Sequence, residues 1–224
     1  MGSPSTMHIH AFDFDGTLTT RDTLIEFIRY ACGRRAFLLG FLRYAPLLVL
    51  MKLRLYPNYR AKQRVFAHFF RGMPVERFDA LCTAFARANR HLLRPAGIAA
   101  VRSAISRGDT VVIVSASVDR WVAPFFSDMP TVTDENRATD NSSGLATTSP
   151  ARFTILGTSV ETSAGCLTGR FATPNCYGAE KVRRLLALYP DRAAYRLTAY
   201  GDSRGDRELL AFADEAHYKP FREE

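Results

Sequence analysis

One junction in this sequence strongly limits the possible folds. A short apolar run, His8 to Phe12, leads there into Asp13-Phe14-Asp15-Gly16-Thr17-Leu18-Thr19. The run predicts a buried strand. Side chains alternate between the two faces of a strand, so the carboxylates of Asp13 and Asp15 point the same way. Two like charges this close repel each other unless a cation lies between them. The pair is typical of a Mg2+ site, and it also offers a nucleophile and a general acid or base. A pair of Asp residues that only caps a turn is the alternative that the motif alone leaves open.

Strand-like and helix-like segments alternate along most of the chain. The β-branched run 110–114 has no polar break, as expected of a central parallel strand, and it leads into Ser115-Ala116-Ser117. A second core strand, 195–200, leads into Gly201-Asp202-Ser203. Helical patterns cover 96–107, 118–126 and 177–188, and shorter strands are predicted at 153–160, 167–171 and 217–218. The alternation predicts an α/β fold with a doubly wound parallel sheet.

Residues 22–91 form a separate block without strand patterns. A helix begins at Asp22-Thr23-Leu24, Gly33 interrupts it, and further helices are predicted from Tyr59 to Phe70 and from Pro74 to about His91. We therefore expect an all-helical cap at 22–91, inserted after the first strand, and a catalytic core made of 7–21 and 92–224. Within that core, the small polar residues 131–150 predict a loop insertion to which no structure is assigned.

The charge of the chain favours an anionic partner. The net charge is +8, and the segment 29–71 holds ten Lys or Arg residues and no acidic residue. The same segment includes the most apolar part of the chain, 36–56, whose charges argue against a simple membrane span. Two readings stay open for 36–56: a buried pair of helices, or a helix pair that lies in an anionic membrane interface. The basic residues could also steer a phosphorylated substrate. No nucleic-acid partner is expected, because no known nucleic-acid motif accompanies the charge.

The four cysteines show no CxxC spacing and no dense framework, which favours reduced thiols. No secretory signal precedes the first strand. We therefore expect a cytoplasmic protein, peripheral to the inner face of the membrane if 36–56 contact lipid.

Three predicted strands end in chemically active groups. They are Asp13 with Asp15, Ser115, and Asp202, and Lys181 lies at the start of a helix. Ligands of open α/β sheets bind beyond the carboxyl ends of the strands, so these groups should converge. Carboxylates, a hydroxyl and a lysine in one place indicate phosphoryl transfer.

The motifs DFDGTL, VSAS, a lysine at a helix start and GDSRGD, in this order, resemble the four motifs of the haloacid-dehalogenase superfamily of phosphatases. The resemblance spans residues 8–217, and the helical insertion after the first motif is similar to that of subfamily IB, which includes phosphoserine phosphatase. The apolar, basic insertion and the segment TGRF…NCYGAEKV resemble phosphatidylglycerophosphatase C and its bacterial relatives.

The resemblance implies a role for each matching residue. Asp13 would be the nucleophile that forms an aspartyl-phosphate, and Asp15 would be the general acid and base, with Lys181 stabilising the charge. The implied phosphate-binding residues are Gly16, Thr17, Ser115, Ala116 and Lys181. The implied Mg2+ ligands are Asp13, Asp15 (through its backbone carbonyl) and Asp202, supported by Asp206. Asp22 lies where phosphoserine phosphatase has a Glu that binds the substrate amine, although it could equally only cap the next helix.

These inferences predict a Mg2+-dependent phosphomonoester hydrolase. The apolar segment 36–56 and the acid-free basic stretch favour a lipid phosphate such as phosphatidylglycerophosphate as substrate. A small soluble ester such as phosphoserine is the first alternative. A non-catalytic phosphate-binding protein on the same fold is the second, because a fold does not dictate an activity.

Overall fold

The computed structural model describes residues 7–53, 55–129 and 153–222. The strands are β1 (Met7–Phe12), β2 (Thr110–Val118), β3 (Phe153–Thr158), β4 (Val160–Ser163), β5 (Cys166–Phe171), β6 (Tyr195–Gly201) and β7 (Glu215–Tyr218). The α-helices are α1 (Thr23–Lys52), α2 (Asn58–Phe70), α3 (Val75–Ala88), α4 (Pro95–Ser106), α5 (Asp119–Val122), α6 (Ala179–Leu188) and α7 (Arg207–Phe212). Five strands form a parallel sheet in the order β3-β2-β1-β6-β7, which confirms the predicted fold class.

The sheet is buried on both faces because alternate side chains of its central strands enter two apolar cores. Phe12 of β1 packs with Val111 and Ile113 of β2 in one core. Ile9 of β1 and Val112 of β2 lie in the other. Two-sided burial explains why β2 lacks the polar alternation of a half-exposed strand. β1 lies in the middle of the sheet, so Asp13 follows the central strand.

Two strand boundaries differ from the prediction. β2 continues to Val118, so Ser115 and Ser117 lie within the strand and not beyond it. The predicted strand 153–160 is two strands, because the chain leaves the sheet after Thr158 and pairs β4 with β5 in an antiparallel hairpin. The pattern of apolar residues could not reveal this change of partner.

The hairpin joins the helical block. The amide of Gly72 donates to the carbonyl of Leu167, and the amide of Leu167 donates to the carbonyl of Met73. These bonds connect β5 to the link between α2 and α3. A segment assigned to the core thus provides a two-stranded wall for the predicted cap; the division at 22–91 itself stays a prediction.

Within α1, Gly33 adopts φ 78° and ψ 164°, a conformation that costs other residues steric strain, and the two halves of the helix meet there. The expected interruption therefore occurs, although the helix resumes at once. No helix in the described ranges is both long and apolar enough to cross a membrane. The predicted polar insertion 131–150 lies outside the described residues.

Candidate active site

A buried lysine joins two carboxylates at the carboxyl end of the sheet. Lys181 lies in the first turn of α6, and its Nζ donates to Asp13 Oδ1 at 2.6 Å and to Asp206 Oδ1 at 2.6 Å. All three side chains are buried, with 1% of Lys181, 5% of Asp13 and 1% of Asp206 exposed. The topology places these groups together, because β1 and β6 are neighbours in the parallel sheet.

One ammonium cannot neutralise two buried carboxylates. Burial alone would raise the pKa of Asp206, but the charge of Lys181 more than offsets this and lowers it. Burial raises the pKa of Asp13 to about 7, against the attraction of Lys181, and the charge of Asp206 adds to the increase. The pKa of Lys181 is raised, because its two carboxylate partners outweigh the effect of burial. Ionised Asp13 therefore needs a further positive charge.

The acidic groups are arranged to hold that charge. Carboxylate oxygens of Asp13, Asp202 and Asp206 lie within 4.8 Å of one another. Among the described residues, Asp202 Oδ1 is buried without a hydrogen-bond partner, and burial raises the pKa of this carboxyl group. A buried oxygen without a donor is costly, and hard cations such as Mg2+ prefer oxygen ligands. The donor set fits Mg2+.

Gly16 allows the first motif to close over this cluster. Its φ is 80°, and a Cβ at this position would collide with the carboxylate of Asp202. Any other residue would be strained by the backbone and would also push Asp202 away. The glycine therefore lets the loop after β1 approach the predicted metal site.

Asp15 is oriented differently from the prediction of two parallel carboxylates. Its Oδ1 accepts hydrogen bonds from the amide of Thr23 at 2.7 Å and from the Thr23 hydroxyl at 2.6 Å. Its Oδ2 accepts from the hydroxyl of Ser117 at 2.5 Å. The side chain lines the cavity but is not part of the acidic cluster, because the chain turns sharply after Asp13. Both oxygens of the side chain are thus engaged, and the role of the Asp15 backbone carbonyl as a metal ligand stays a prediction.

Sequence reasoning did not single out Thr23 and Ser117. A signal for Ser117 existed, because residues two apart in a strand share a face. Ser117 thus lies on the same face as Ser115, which the motif does identify. Thr23 carried no comparable signal beyond its place at a helix start.

The predicted phosphate-binding residues separate into two groups. Gly16 and Ala116 line the cavity beside Asp13. Thr17 and Ser115 lie behind it: Thr17 Oγ1 donates to Asp13 Oδ2 at 3.1 Å, and Ser115 Oγ accepts from the amide of Ser117 at 3.0 Å. These two hydroxyls are not part of the cavity lining.

The cavity above these groups has a volume of about 540 Å³, and its two sides differ. The side formed by the core is charged. The side formed by the helical block is mainly apolar and includes Leu24, Ile25, Phe41, Met51 and Val65. A bound molecule would therefore meet ionic groups at one end and hydrocarbon at the other.

Asp22 and Lys62 are the charged groups on the side formed by the helical block. Asp22 caps α1, with its carboxylate accepting from the amide of Leu24 at 2.9 Å, and it also lines the cavity, so the two sequence interpretations are compatible. Burial and the charge of Asp15 raise its pKa. Lys62 donates to the carbonyl of Ala116 at 2.7 Å, and burial lowers the pKa of its ammonium. Nothing distinguished Lys62 from the other basic residues of 29–71 before the structure was known.

Arg222 is a further charged residue that the sequence did not identify. Its Nη2 donates to Asp202 Oδ2 at 2.7 Å. The guanidinium thus balances part of the charge of Asp202 from the solvent side. Its distance in sequence from every motif explains why no pattern indicated it.

The chain is similar to several known proteins. The profile described as haloacid dehalogenase-like hydrolase matches residues 11–211. Protein CicA of Caulobacter vibrioides is 36% identical over 218 residues, which are 95% of this chain and 86% of that protein. A protein with unknown function from Bordetella pertussis Tohama I has a solved structure with a TM-score of 0.73 and 18% identity, covering 95% of this chain and 89% of its own. A phospho-aspartyl intermediate analogue of phosphoserine phosphatase gives a TM-score of 0.52 and 15% identity, with 95% and 86% covered. At these identities, the two solved structures show a shared fold.

Proposed function

Because the chain belongs to the haloacid dehalogenase-like hydrolase family, we propose that it is a Mg2+-dependent phosphomonoester hydrolase that works through an aspartyl-phosphate. The proposal rests on the buried carboxylate of Asp13. Lys181 Nζ donates to its Oδ1 at 2.6 Å, and the neighbouring Asp202 Oδ1 is buried without a hydrogen-bond donor among the described residues. A purely structural ion pair would not need a third carboxylate with one buried oxygen unsatisfied.

We infer a task for each group. A carboxylate oxygen of Asp13 attacks phosphorus, the new O–P bond forms, and the bond from phosphorus to the ester oxygen breaks. Asp15 donates the proton that the leaving alkoxide takes up. Water then attacks the phosphoryl group, Asp15 accepts its proton, and inorganic phosphate leaves with Asp13 restored.

The positive groups hold the charge that these steps create. Lys181 keeps Asp13 oriented, while the backbone at Gly16 and Ala116 faces the phosphoryl oxygens. Mg2+, held by Asp13 and Asp202 and supported by Asp206, would supply positive charge to those oxygens. The phospho-aspartyl analogue described for phosphoserine phosphatase supports this chemistry, since the two proteins share a fold.

For the substrate we propose a lipid phosphate, with phosphatidylglycerophosphate as the example that fits. The apolar side of the cavity supports this choice because it can cover hydrocarbon next to a headgroup. The proposal includes membership of subfamily IB, a resemblance to phosphatidylglycerophosphatase C, and a cytoplasmic location peripheral to the inner face of the membrane. Its partner would be an anionic membrane surface and not a nucleic acid.

A small soluble ester such as phosphoserine is the second candidate. It is favoured by Asp22 and Lys62, since one carboxylate and one ammonium in a cavity suit the amine and the carboxylate of an amino acid. The contrast between the two candidates is testable, because only a lipid uses the apolar side of the cavity.

The test is a screen for phosphate release from soluble and lipid esters with Mg2+, in which Asp13→Asn serves as the blank. We expect the wild type to hydrolyse lipid phosphates faster than phosphoserine, and the variant to release nothing. Faster hydrolysis of phosphoserine would select the second candidate. Equal and negligible release by both proteins would support the non-catalytic phosphate-binding alternative and contradict the proposal.

A further inference from the structure

The outer face of the second half of α1 carries a stripe of exposed apolar side chains. The stripe consists of Leu38, Leu42, Val49 and Leu53, which are 64%, 73%, 56% and 62% exposed. Their spacings of four, seven and four residues place them on one face of a helix. Apolar side chains exposed singly are ordinary, but a continuous row indicates a surface that meets something apolar.

The opposite face of the helix is held by packing, so the stripe cannot turn inward. Gly40 is buried against α2, where a Cβ would collide with the ring of Phe69. Tyr44, one turn further on, meets His68 of α2 edge-on with ring centroids 5.3 Å apart. Gly40 and Tyr44 fix the rotation of the helix about its axis. The exposure of the stripe is thus a consequence of the fold.

Basic side chains accompany the stripe on α1. Arg34, Arg35 and Arg43 are exposed on this helix. The whole segment 29–71 contains no acidic residue. Apolar and basic side chains on one helical surface match the chemistry of an anionic bilayer, whose interior takes up leucine and whose headgroups attract arginine.

A second copy of the chain fits this surface less well. Pairing two such faces would bring two sets of arginines together without a carboxylate from 29–71 to separate them. Like charges placed opposite each other disfavour an interface. Charge complementarity therefore favours an anionic surface over self-association.

The stripe and the cavity share one helix. Phe41 and Met51, which line the cavity, lie on α1 among the residues of the stripe. From Arg34 to Lys52 the helix spans about 28 Å, enough to lie along a membrane surface. We propose that the stripe and its flanking arginines dock the protein flat on an anionic bilayer, so that the cavity opens beside lipid headgroups. This inference rests on the proposed function, since docking would bring a lipid phosphate to Asp13.

Vesicle flotation tests the inference. The probes are vesicles of phosphatidylcholine alone and vesicles with about 30% phosphatidylglycerol. We expect the wild-type protein to float with the anionic vesicles and not with the neutral ones. About 0.5 M salt should release it from the anionic vesicles. Leu38→Ser combined with Leu42→Ser should reduce binding to anionic vesicles by about tenfold.

Leu188→Ser is the matched control, since Leu188 is an exposed leucine of the catalytic core, and it should bind as the wild type does. Failure of the wild type to float, or equal flotation of the double variant, would overturn the inference. A wild-type dimer that the double variant converts to a monomer, without vesicle binding by either, would overturn it in favour of a second copy. Hydrolysis of a soluble phosphate ester, measured on the same preparations against Asp13→Asn, reports separately on the proposed function and should be unaffected in the double variant.

Discussion

The two sides of the cavity are built on different physical principles. On the core side, Asp13, Lys181 and Asp206 are nearly inaccessible to solvent, and Lys181 donates a hydrogen bond to each of the two carboxylates. On the side of the helical block, apolar residues predominate, and Lys62 donates to a backbone carbonyl of the core.

The difference teaches where each side can tolerate change. Charges that neutralise one another in a buried site are coupled, so removing one leaves the others without compensation. Apolar contacts are non-directional, and altering one of them leaves no buried charge uncompensated. The core side is therefore suited to fixed chemistry, and the helical side to substrate selection.

Lys181→Met should show the difference between the two sides of the cavity most clearly. The substitution leaves Asp13 and Asp206 buried without their common cation, so we expect destabilisation by about 3–5 kcal/mol and an activity loss of about 10³-fold. Chemical denaturation and steady-state kinetics measure these effects. Arg183→Met, two residues along α6 at an exposed ion pair with Glu180, is the control and should change little. A stable, active Lys181→Met protein would show that the core side is not a coupled unit.

The pH dependence of stability should sharpen the picture of the core side. In the protein without Mg2+, burial raises the pKa of Asp13 from 3.8 to about 7, so between these values the folded state holds a proton that the unfolded state releases. Ionisation of Asp13 therefore does not change the free energy of unfolding below pH 3.8. Between pH 3.8 and about 7 it lowers this free energy by about 1.4 kcal/mol for each pH unit. The loss is complete above the higher value.

We expect the free energy of unfolding of the wild type, relative to that of Asp13→Asn, to fall as the pH rises from about 4 to about 7 and then to level off. Urea denaturation at each pH gives both values. Addition of Mg2+ should remove the decrease, because bound metal compensates the ionised carboxylate. A difference that stays constant with pH would contradict the electrostatic account of Asp13.

Lys62→Met tests the side formed by the helical block. Because the substitution removes one charge from the cavity and one bond to Ala116, we expect kcat/KM to fall by about tenfold, mainly through KM. The melting temperature should stay close to that of the wild type. Arg60→Met, at an exposed position of the same helix, is the control. A loss as large as that of Lys181→Met would place Lys62 within the catalytic machinery and end the contrast between the two sides.

Arg222→Ala should give the smallest effect. Its guanidinium is partly exposed and competes with a metal for Asp202, so its removal should tighten Mg2+ binding by at most about fivefold. Calorimetric titration with Mg2+ measures the change, and Arg207→Ala at an exposed position of α7 is the control. Weaker Mg2+ binding would show that Arg222 orients Asp202 instead of competing for it.

Much of the core side could be read from the sequence. The parallel sheet and the family are confirmed, and the motifs lie together at the carboxyl edge, although the individual residue roles stay predictions. The motifs were readable because the chemistry needs particular residue types directly after particular strands. The strand boundary at Ser115 was wrong, since β2 continues past it to Val118. Its phosphate-binding role stays a prediction.

The sequence indicated the helices on the side formed by the helical block but not how they pack. Helical spacing indicated α2 and α3, yet it could not say which face of α1 would be covered. Both open readings of 36–56 expected a helix pair, and this was wrong: up to Lys52 the segment belongs to the single helix α1, whose one face packs on α2 while the other carries exposed leucines. Contact of this segment with a membrane stays a prediction.

By itself, the sequence determined the order of strands and helices, the family, and the residue types that the chemistry requires, because these depend on local periodicity and on motifs of adjacent residues. Only the tertiary structure decided that Lys62 reaches Ala116, that Thr23 and Ser117 hold Asp15, and that Arg222 returns to Asp202. These contacts join residues that are separated in the sequence and meet only when the chain folds. Their geometry depends on how the whole chain folds, and no pattern of neighbouring residues encodes it.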